Sequence, residues 1–312
     1  MLEMKATRDG YGEGLVTLGE RNPQVVVLSA DLTDSTRASM FQKRFPERFF
    51  TMGVAEADMI GTAGGLSLVG KIPFCCSFGV FASGRVWDQV RITICYSNLN
   101  VKIGGSHGGI TVGADGATHQ SLEDITLMRV LPNMKVVVPC DAIETRKATI
   151  NAAEVSGPVY IRFGRPAVPT ITREDTPFIL GKAITMREGK DVAIFACGIM
   201  VYEALEAAKE LDKKGISARV INVHTVKPID DEKIFEAARE TGAIVTAEEH
   251  QLSGGFGSAV TEVVAKQFPV PVEMVGIKDR FGESGTPQEL MQDFGLTRFD
   301  IVRAVEKVMK RK

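Results

Sequence analysis

Short runs of β-branched and aliphatic residues recur along the whole chain, and they are continuous rather than alternating. Residues 25–28, 101–103, 136–138 and 159–163 form such runs in the first half. Residues 192–196, 218–223, 243–247 and 272–277 repeat the pattern in the second. A strand with one wet face alternates apolar and polar residues, whereas a strand covered on both faces does not. The chain is therefore predicted to build parallel sheets flanked by helices, an α/β fold.

Amphipathic segments lie between these runs, with recognisable ends. Asp141 followed by Glu144 is a capping-box pattern leading into residues 143–153. Tyr202, Leu205 and Leu211 are expected to share one helical face, and Gly215 stands where a helix C-terminus favours a left-handed residue. Thr297 opens a last helix with Ile301, Val302, Val305 and Val308 on one stripe. At 312 residues two domains are expected. Pro166, Pro169 and Pro177 mark the break between them. The predicted division is a first domain at 1–168, a linker at 169–182 and a second domain at 183–312, each domain holding a mostly parallel sheet.

Charge and composition narrow the function classes. A net charge of −2 gives no electrostatic reason to expect nucleic acid or an anionic membrane as partner. The basic tail of Lys307, Lys310, Arg311 and Lys312 suits the end of a final helix. Cysteines 75, 76, 95, 140 and 197 lie in or beside apolar runs without a CxxC pair, so buried free thiols are expected, not disulfides or zinc. The first residues lack the apolar core of a signal peptide, and no stretch reaches the length of a membrane span. A cytoplasmic location is the expectation.

Three groups of residues could carry chemistry. His107 and His119 lie twelve positions apart in a segment with six glycines between 104 and 116. It follows a predicted strand, where open α/β folds place their ligands. A flexible surface loop with two incidental histidines competes with that reading. Glu56 is expected at the start of a helix, flanked by Met52, Val54, Ala55, Met59 and Ile60. A carboxylate there is usually a macrodipole partner; apolar flanks suggest a buried group able to share a proton with a ring nitrogen. Arg8, Ser35 and Arg162 form the third group. Ser35 lies in a polar turn suited to anions, and Arg162 interrupts an apolar strand, where an isolated charge is costly. Taken singly, each could be only a turn or a salt bridge.

Ala6-Thr-Arg8, Ser29-Ala-Asp-Leu-Thr, Gly53-Val-Ala-Glu56, Ser77-Phe78 through Phe81, Ser106-His107 and Asp115-Gly-Ala-Thr-His119-Gln stand in register. In this order and spacing they resemble the transketolase family, in its pyrimidine-binding domain and the C-terminal domain after it. The resemblance implies thiamine diphosphate as cofactor, with Glu56 hydrogen-bonded to the aminopyrimidine ring. A carboxyl there favours the ring's imino tautomer, which takes the thiazolium carbon's proton. Phe78 and Phe81 match the aromatic wall on the pyrimidine, and Asp31 matches a cofactor-proximal position at the boundary between subunits. His107 and His119 match histidines contacting sugar oxygens and assisting proton transfer. Asp115 matches a reader of a substrate hydroxyl. Arg8, Ser35 and Arg162 match the binders of a sugar phosphate.

Two departures qualify the resemblance. Full-length members carry an N-terminal Gly-Asp-Gly…Asn element that holds magnesium and diphosphate, and this sequence has none. With its Met-Leu-Glu-Met start and capped last helix, the chain is expected to be the C-terminal subunit of a split transketolase. Its N-terminal partner subunit would bind Mg2+ or Ca2+, and this chain no metal. The implied assembly is a heterotetramer transferring a two-carbon ketol unit between sugar phosphates, as in the pentose phosphate pathway. Phe81-Ala-Ser-Gly-Arg85-Val-Trp-Asp-Gln is closer to deoxyxylulose-phosphate synthase and to the β subunits of 2-oxoacid dehydrogenases. Those chemistries, and a non-catalytic α/β binding subunit, are the alternatives. Glu248-Glu-His250-Gln-Leu-Ser-Gly-Gly-Phe-Gly lacks GxGxxG spacing, so the second domain is read as a surface for partner subunits.

Overall fold

A computed structural model describes residues 2–312 and arranges seven strands in one sheet and five in another. The first sheet runs Phe49–Thr51, Val25–Ser29, Ile72–Phe78, Lys102–Ser106, Val159–Arg162, Lys135–Val137 and Thr225–Lys227. Every neighbouring pair is parallel except the last, which is antiparallel. The pleat sends Val25 and Val27 into a core with Leu15, Phe41 and Ala148, from helices Thr7–Arg21, Ser39–Arg44 and Ala142–Glu154. Val26 and Leu28 face the opposite layer with Met59 and Ile60. Both faces are dry, which is why the sequence runs are continuous.

The second sheet runs Ile184–Arg187, Ala218–Asn222, Val192–Ala196, Ile244–Gln251 and Val272–Ile277, with only the first strand antiparallel. Helices Met200–Asp212 and Arg298–Met309 cover one face, and Asp231–Thr241 and Phe256–Gln267 contribute the core of the other. The predicted caps form. Asp141 accepts the Glu144 backbone N–H at 2.9 Å, and Thr297 closes a capping box with Asp300. Gly215 takes φ 74°, and all five cysteines are buried and free.

Three details differ from the sequence reading. Thr225–Lys227 leaves the second half of the chain and completes the first sheet beside Lys135–Val137. The proline-marked segment carries a short strand and is held by hydrogen bonds. Ala167–Pro169 pairs antiparallel with Met4–Ala6, and the Asp141 carboxylate accepts the backbone N–H groups of Ile171 and Thr172. On helix Met200–Asp212 the packed face is Met200, Val201, Ala204, Ala207, Ala208 and Leu211, while Tyr202 and Leu205 are half-buried at its flank. Alanines, by letting the helix lie close to the sheet, outrank the larger side chains there.

Close approach also governs helix Thr7–Arg21, which packs along Ala142–Glu154. A Cβ added at Gly10 would lie 2.0 Å from the Ala142 carbonyl oxygen, a backbone atom that cannot swing aside. Helix propensity favours alanine over glycine by about 1 kcal/mol, but overpacking costs about 1–3 kcal/mol. Gly10→Ala is therefore expected to lower the urea unfolding midpoint; an unchanged or raised midpoint would contradict this packing.

Candidate active site

The chain leaves strand Val25–Ser29 to add Phe49–Thr51 on one side, then crosses over to add Ile72–Phe78 on the other. Such a reversal opens a crevice at the carboxyl ends of the strands. Glu56 begins helix Glu56–Leu68, which follows Phe49–Thr51; Phe78 ends its strand, and His107 follows Lys102–Ser106. Connectivity thus delivers the three residues to one edge.

Glu56 is only 1% exposed. Its Oε1 accepts the Ser77 hydroxyl at 3.1 Å and its Oε2 accepts an Arg85 guanidinium N–H at 2.9 Å. A buried carboxylate needs such partners, and its place in a first helical turn adds a favourable dipole. Arg85 is itself 49% exposed and lies over the Phe81 ring, 4.5 Å from its centroid. Phe81 and Arg85 open and close one five-residue π-helix, a wide turn that aims both into the crevice. Sequence reasoning placed no role on Arg85; the signal was that a buried Glu56 requires a cation.

Phe78 and Phe81 stack with centroids 6.1 Å apart. His107 stacks on Phe78 at 3.8 Å, and His119 stands edge-on to both phenylalanines at 6.0 and 5.6 Å. Ser106 Oγ lies 2.8 Å from His107 Nδ1, and Thr118 Oγ1 lies 2.9 Å from His119 Nδ1. Burial, reinforced by Arg8 and Arg165, pushes the His107 pKa down to about 3. Its imidazole is therefore neutral near pH 7, with one nitrogen to donate and one to accept. His107 also holds φ 58°, a backbone conformation that side chains adopt mainly where surroundings enforce it.

Beside the histidines is a second polar group. An Arg8 guanidinium N–H donates to the Ser35 carbonyl at 3.0 Å, and Asp115 pairs with Arg165 at 2.9 Å. Arg8, Arg165, Asp115 and His119 all lie close enough to His107 to perturb it. Asp31 is exposed, with φ 59°, just past strand Val25–Ser29, and its side chain joins no hydrogen bond among the described residues. Arg162 is differently placed. It is 5% exposed, and its guanidinium is occupied by the Asp124 carboxylate at 3.0 Å and by the carbonyls of Ser121 and Glu249. As the last residue of Val159–Arg162 it points into the layer between the sheets. Arg165, three residues on and past the strand end, is the half-exposed cation beside His107.

The Glu56 end of this crevice fits an aminopyrimidine: a buried carboxyl next to a flat apolar stack. No group of three or more His, Cys, Asp or Glu able to hold a metal ion occurs among the described residues.

Family models for the transketolase pyrimidine-binding domain and the transketolase C-terminal domain match residues 3–170 and 181–301. The chain belongs to the transketolase family. It is 47% identical over 311 residues to a 6-deoxy-6-sulfo-D-fructose transketolase subunit of Clostridium sp. (strain MSTE9), covering 100% of this chain and 97% of that one. It is 40% identical to one of the subunits of the apulose-4-phosphate transketolase of Phocaeicola vulgatus, covering 99% of each. A solved split-gene transketolase, described as an inactive beta4 tetramer, superposes with a TM-score of 0.93 at 54% identity over 99% of both chains. The transketolase-family fold and its transferase class are thereby established.

The two arginines separate by experiment. Arg162→Ala leaves the fully buried Asp124 unpaired and is expected to cost about 3–5 kcal/mol of unfolding free energy. Arg165→Ala, at a half-exposed pair, is expected to cost less than about 1 kcal/mol. Equal losses in urea unfolding would contradict these placements.

Proposed function

We propose that the chain is the C-terminal subunit of a split transketolase, moving a two-carbon ketol unit from a ketose phosphate to an aldose phosphate. The observation carrying this reading is the Glu56 carboxyl, buried at the edge of the Phe78–Phe81 stack with the His107–His119 pair beside it. Thiamine diphosphate, when bound, supplies a nucleophilic thiazolium carbon. Glu56 would hold the aminopyrimidine nitrogen by a hydrogen bond, sharing a proton with it. Phe78 and Phe81 would cover the ring and exclude water. His107 and His119, next to that wall, would donate to and accept from the sugar's hydroxyl and carbonyl oxygens. Arg8, with the Ser35 turn, and Arg165 would bind the anionic end of the sugar, while Asp115 would orient a hydroxyl.

The diphosphate and its Mg2+ or Ca2+ would be held by an N-terminal subunit carrying the Gly-Asp-Gly…Asn element, which this sequence lacks. Exposed apolar residues at Phe50, Val54, Leu68, Val69, Ile92 and Tyr96, on and near helix Glu56–Leu68, suit a surface that other subunits cover. A heterotetramer follows from pairing two copies of each subunit, and the inactivity of the solved beta4 relative agrees with a chain that needs its partner. Asp31, exposed near this edge, would lie where the subunits meet. The five buried, unpaired thiols suit a cytoplasmic enzyme, and no described helix is long and apolar enough to cross a membrane. Ketol exchange among sugar phosphates would place it in the pentose phosphate pathway.

The purified chain alone is expected to be inactive. Combined with a subunit carrying the Gly-Asp-Gly…Asn element, Mg2+ and thiamine diphosphate, it should turn over xylulose 5-phosphate but not pyruvate. Glu56→Ala in that complex should reduce kcat by at least about a hundredfold. Full activity of the Glu56→Ala complex, or a preference for pyruvate, would overturn the assignment.

A further inference from the structure

A cluster of buried charges crosses between the two sheets and meets the backbone that follows His107. Asp124 and Arg162 come from the first domain, and Glu248, Glu249 and His250 come from strand Ile244–Gln251 of the second. Tyr160 donates to Asp124 at 2.7 Å, and Arg162 bridges Asp124 to the Glu249 carbonyl. The Glu249 carboxylate does not pair with that arginine in a direct salt bridge. It turns instead to the backbone of the histidine loop and accepts the Thr111 N–H at 2.6 Å.

Thr111 is the centre of a single 3-10 turn, Ile110–Val112, lying between His107 and His119. The loop around it is fixed on several sides. Gly108 and Gly109 donate to the Phe163 and Ser121 carbonyls at 3.1 and 2.9 Å. The Gln120 amide reaches the Ile110 carbonyl at 3.1 Å and the Glu283 carbonyl at 2.8 Å, and Glu283 also belongs to the second domain.

The paired glycines at the head of the loop explain the geometry. A Cβ at Gly108 would lie 2.7 Å from Arg162 Nε, and one at Gly109 would lie 2.1 Å from the Glu249 carboxyl carbon. Gly109 also takes φ 89°, which a side chain would strain. The backbone following His107 therefore rests directly on Arg162 and Glu249. A buried carboxylate is a costly way to close a domain boundary, where apolar side chains suffice. Its geometry is directional, as a backbone clamp must be.

We propose that Glu249 is a positioning residue for the transketolase reaction: from the second domain, its carboxylate fixes the Thr111 turn and so sets His107 and His119 against Phe78 and Phe81. The second domain then does more than cover subunit surface; it tunes the sugar-binding loop. This inference rests on the histidines' substrate role proposed above, and its test separates the two.

Three full-length chains decide it: wild type, Glu249→Gln and Glu249→Ala. Hydrogen exchange is followed in each chain, and steady-state kinetics with xylulose 5-phosphate and ribose 5-phosphate in each assembled complex. A hydrogen bond to a charged acceptor contributes about 1.5–3 kcal/mol, which is about tenfold or more. Glu249→Ala is expected to raise backbone exchange in residues 106–120 by at least about tenfold, with strand Ile72–Phe78 unaffected. It should raise KM for the sugar phosphates by about tenfold, while thiamine diphosphate affinity stays as in wild type. Glu249→Gln, whose amide oxygen still accepts the Thr111 N–H, should recover most of both effects. Loop exchange and KM as in wild type for Glu249→Ala would overturn the proposal. So would a rise in exchange spread evenly over the chain, or no recovery by Gln. If the wild-type complex shows no ketol transfer, the functional reading fails, and loop exchange alone decides the positioning role.

Discussion

Burying an ionisable carboxyl costs several kcal/mol unless hydrogen bonds and a counter-charge offset it, and Glu56 sits at 1% exposure. What offsets that cost determines the architecture around it. The Ser77 hydroxyl comes from the central strand Ile72–Phe78, the Arg85 guanidinium from the π-helix after it, and the dipole from helix Glu56–Leu68. These elements converge because the sheet reverses its strand order at Val25–Ser29. Parallel pairing puts the ends of these strands at one edge, and the reversal opens the crevice between them.

The same logic, charge held inside by directional partners, recurs between the sheets. Arg162 joins strand Val159–Arg162 to strand Ile244–Gln251, Glu144 joins helix Ala142–Glu154 to Asn222, and Asp141 at that helix's start holds Thr172 of the connecting segment. Glu144 bonds Asn222 at 2.7 Å, and burial pushes its pKa up to about 7. Apolar packing alone would hold the domains together while allowing small slides. Hydrogen-bonded charges fix their relative position, and the histidine loop between His107 and His119 depends on that position.

Legibility from sequence followed the physics of each feature. Buried parallel strands announce themselves as unbroken apolar runs, and Asp141 and Thr297 declare helix starts because few other residues can satisfy the free N–H groups. Glu56, Phe78, Phe81, His107 and His119 were readable as a set from their ordered motifs, and the fold gathers them at one edge. Arg162 could not be placed from sequence, because a strand-end arginine can face either an open crevice or the layer between sheets. Only the tertiary partner, Asp124, decides which. Arg165 drew no notice for the complementary reason, as a loop arginine carries no periodic signature. The crossing of Thr225–Lys227 into the first sheet was invisible, since three residues cannot record which edge they join. Arg85 and Glu249 act across long sequence separations, 29 residues to Glu56 and 138 to Thr111.

On the proposed reading, the pyrimidine wall of the cofactor site stands on this chain, and the diphosphate and its metal are held by a partner subunit. The most direct measurement of that claim is calorimetric titration of thiamine diphosphate, with Mg2+ present, into this chain alone and into the chain paired with its N-terminal subunit. The account predicts saturable binding only in the pair. Equal affinity for the chain by itself would contradict it.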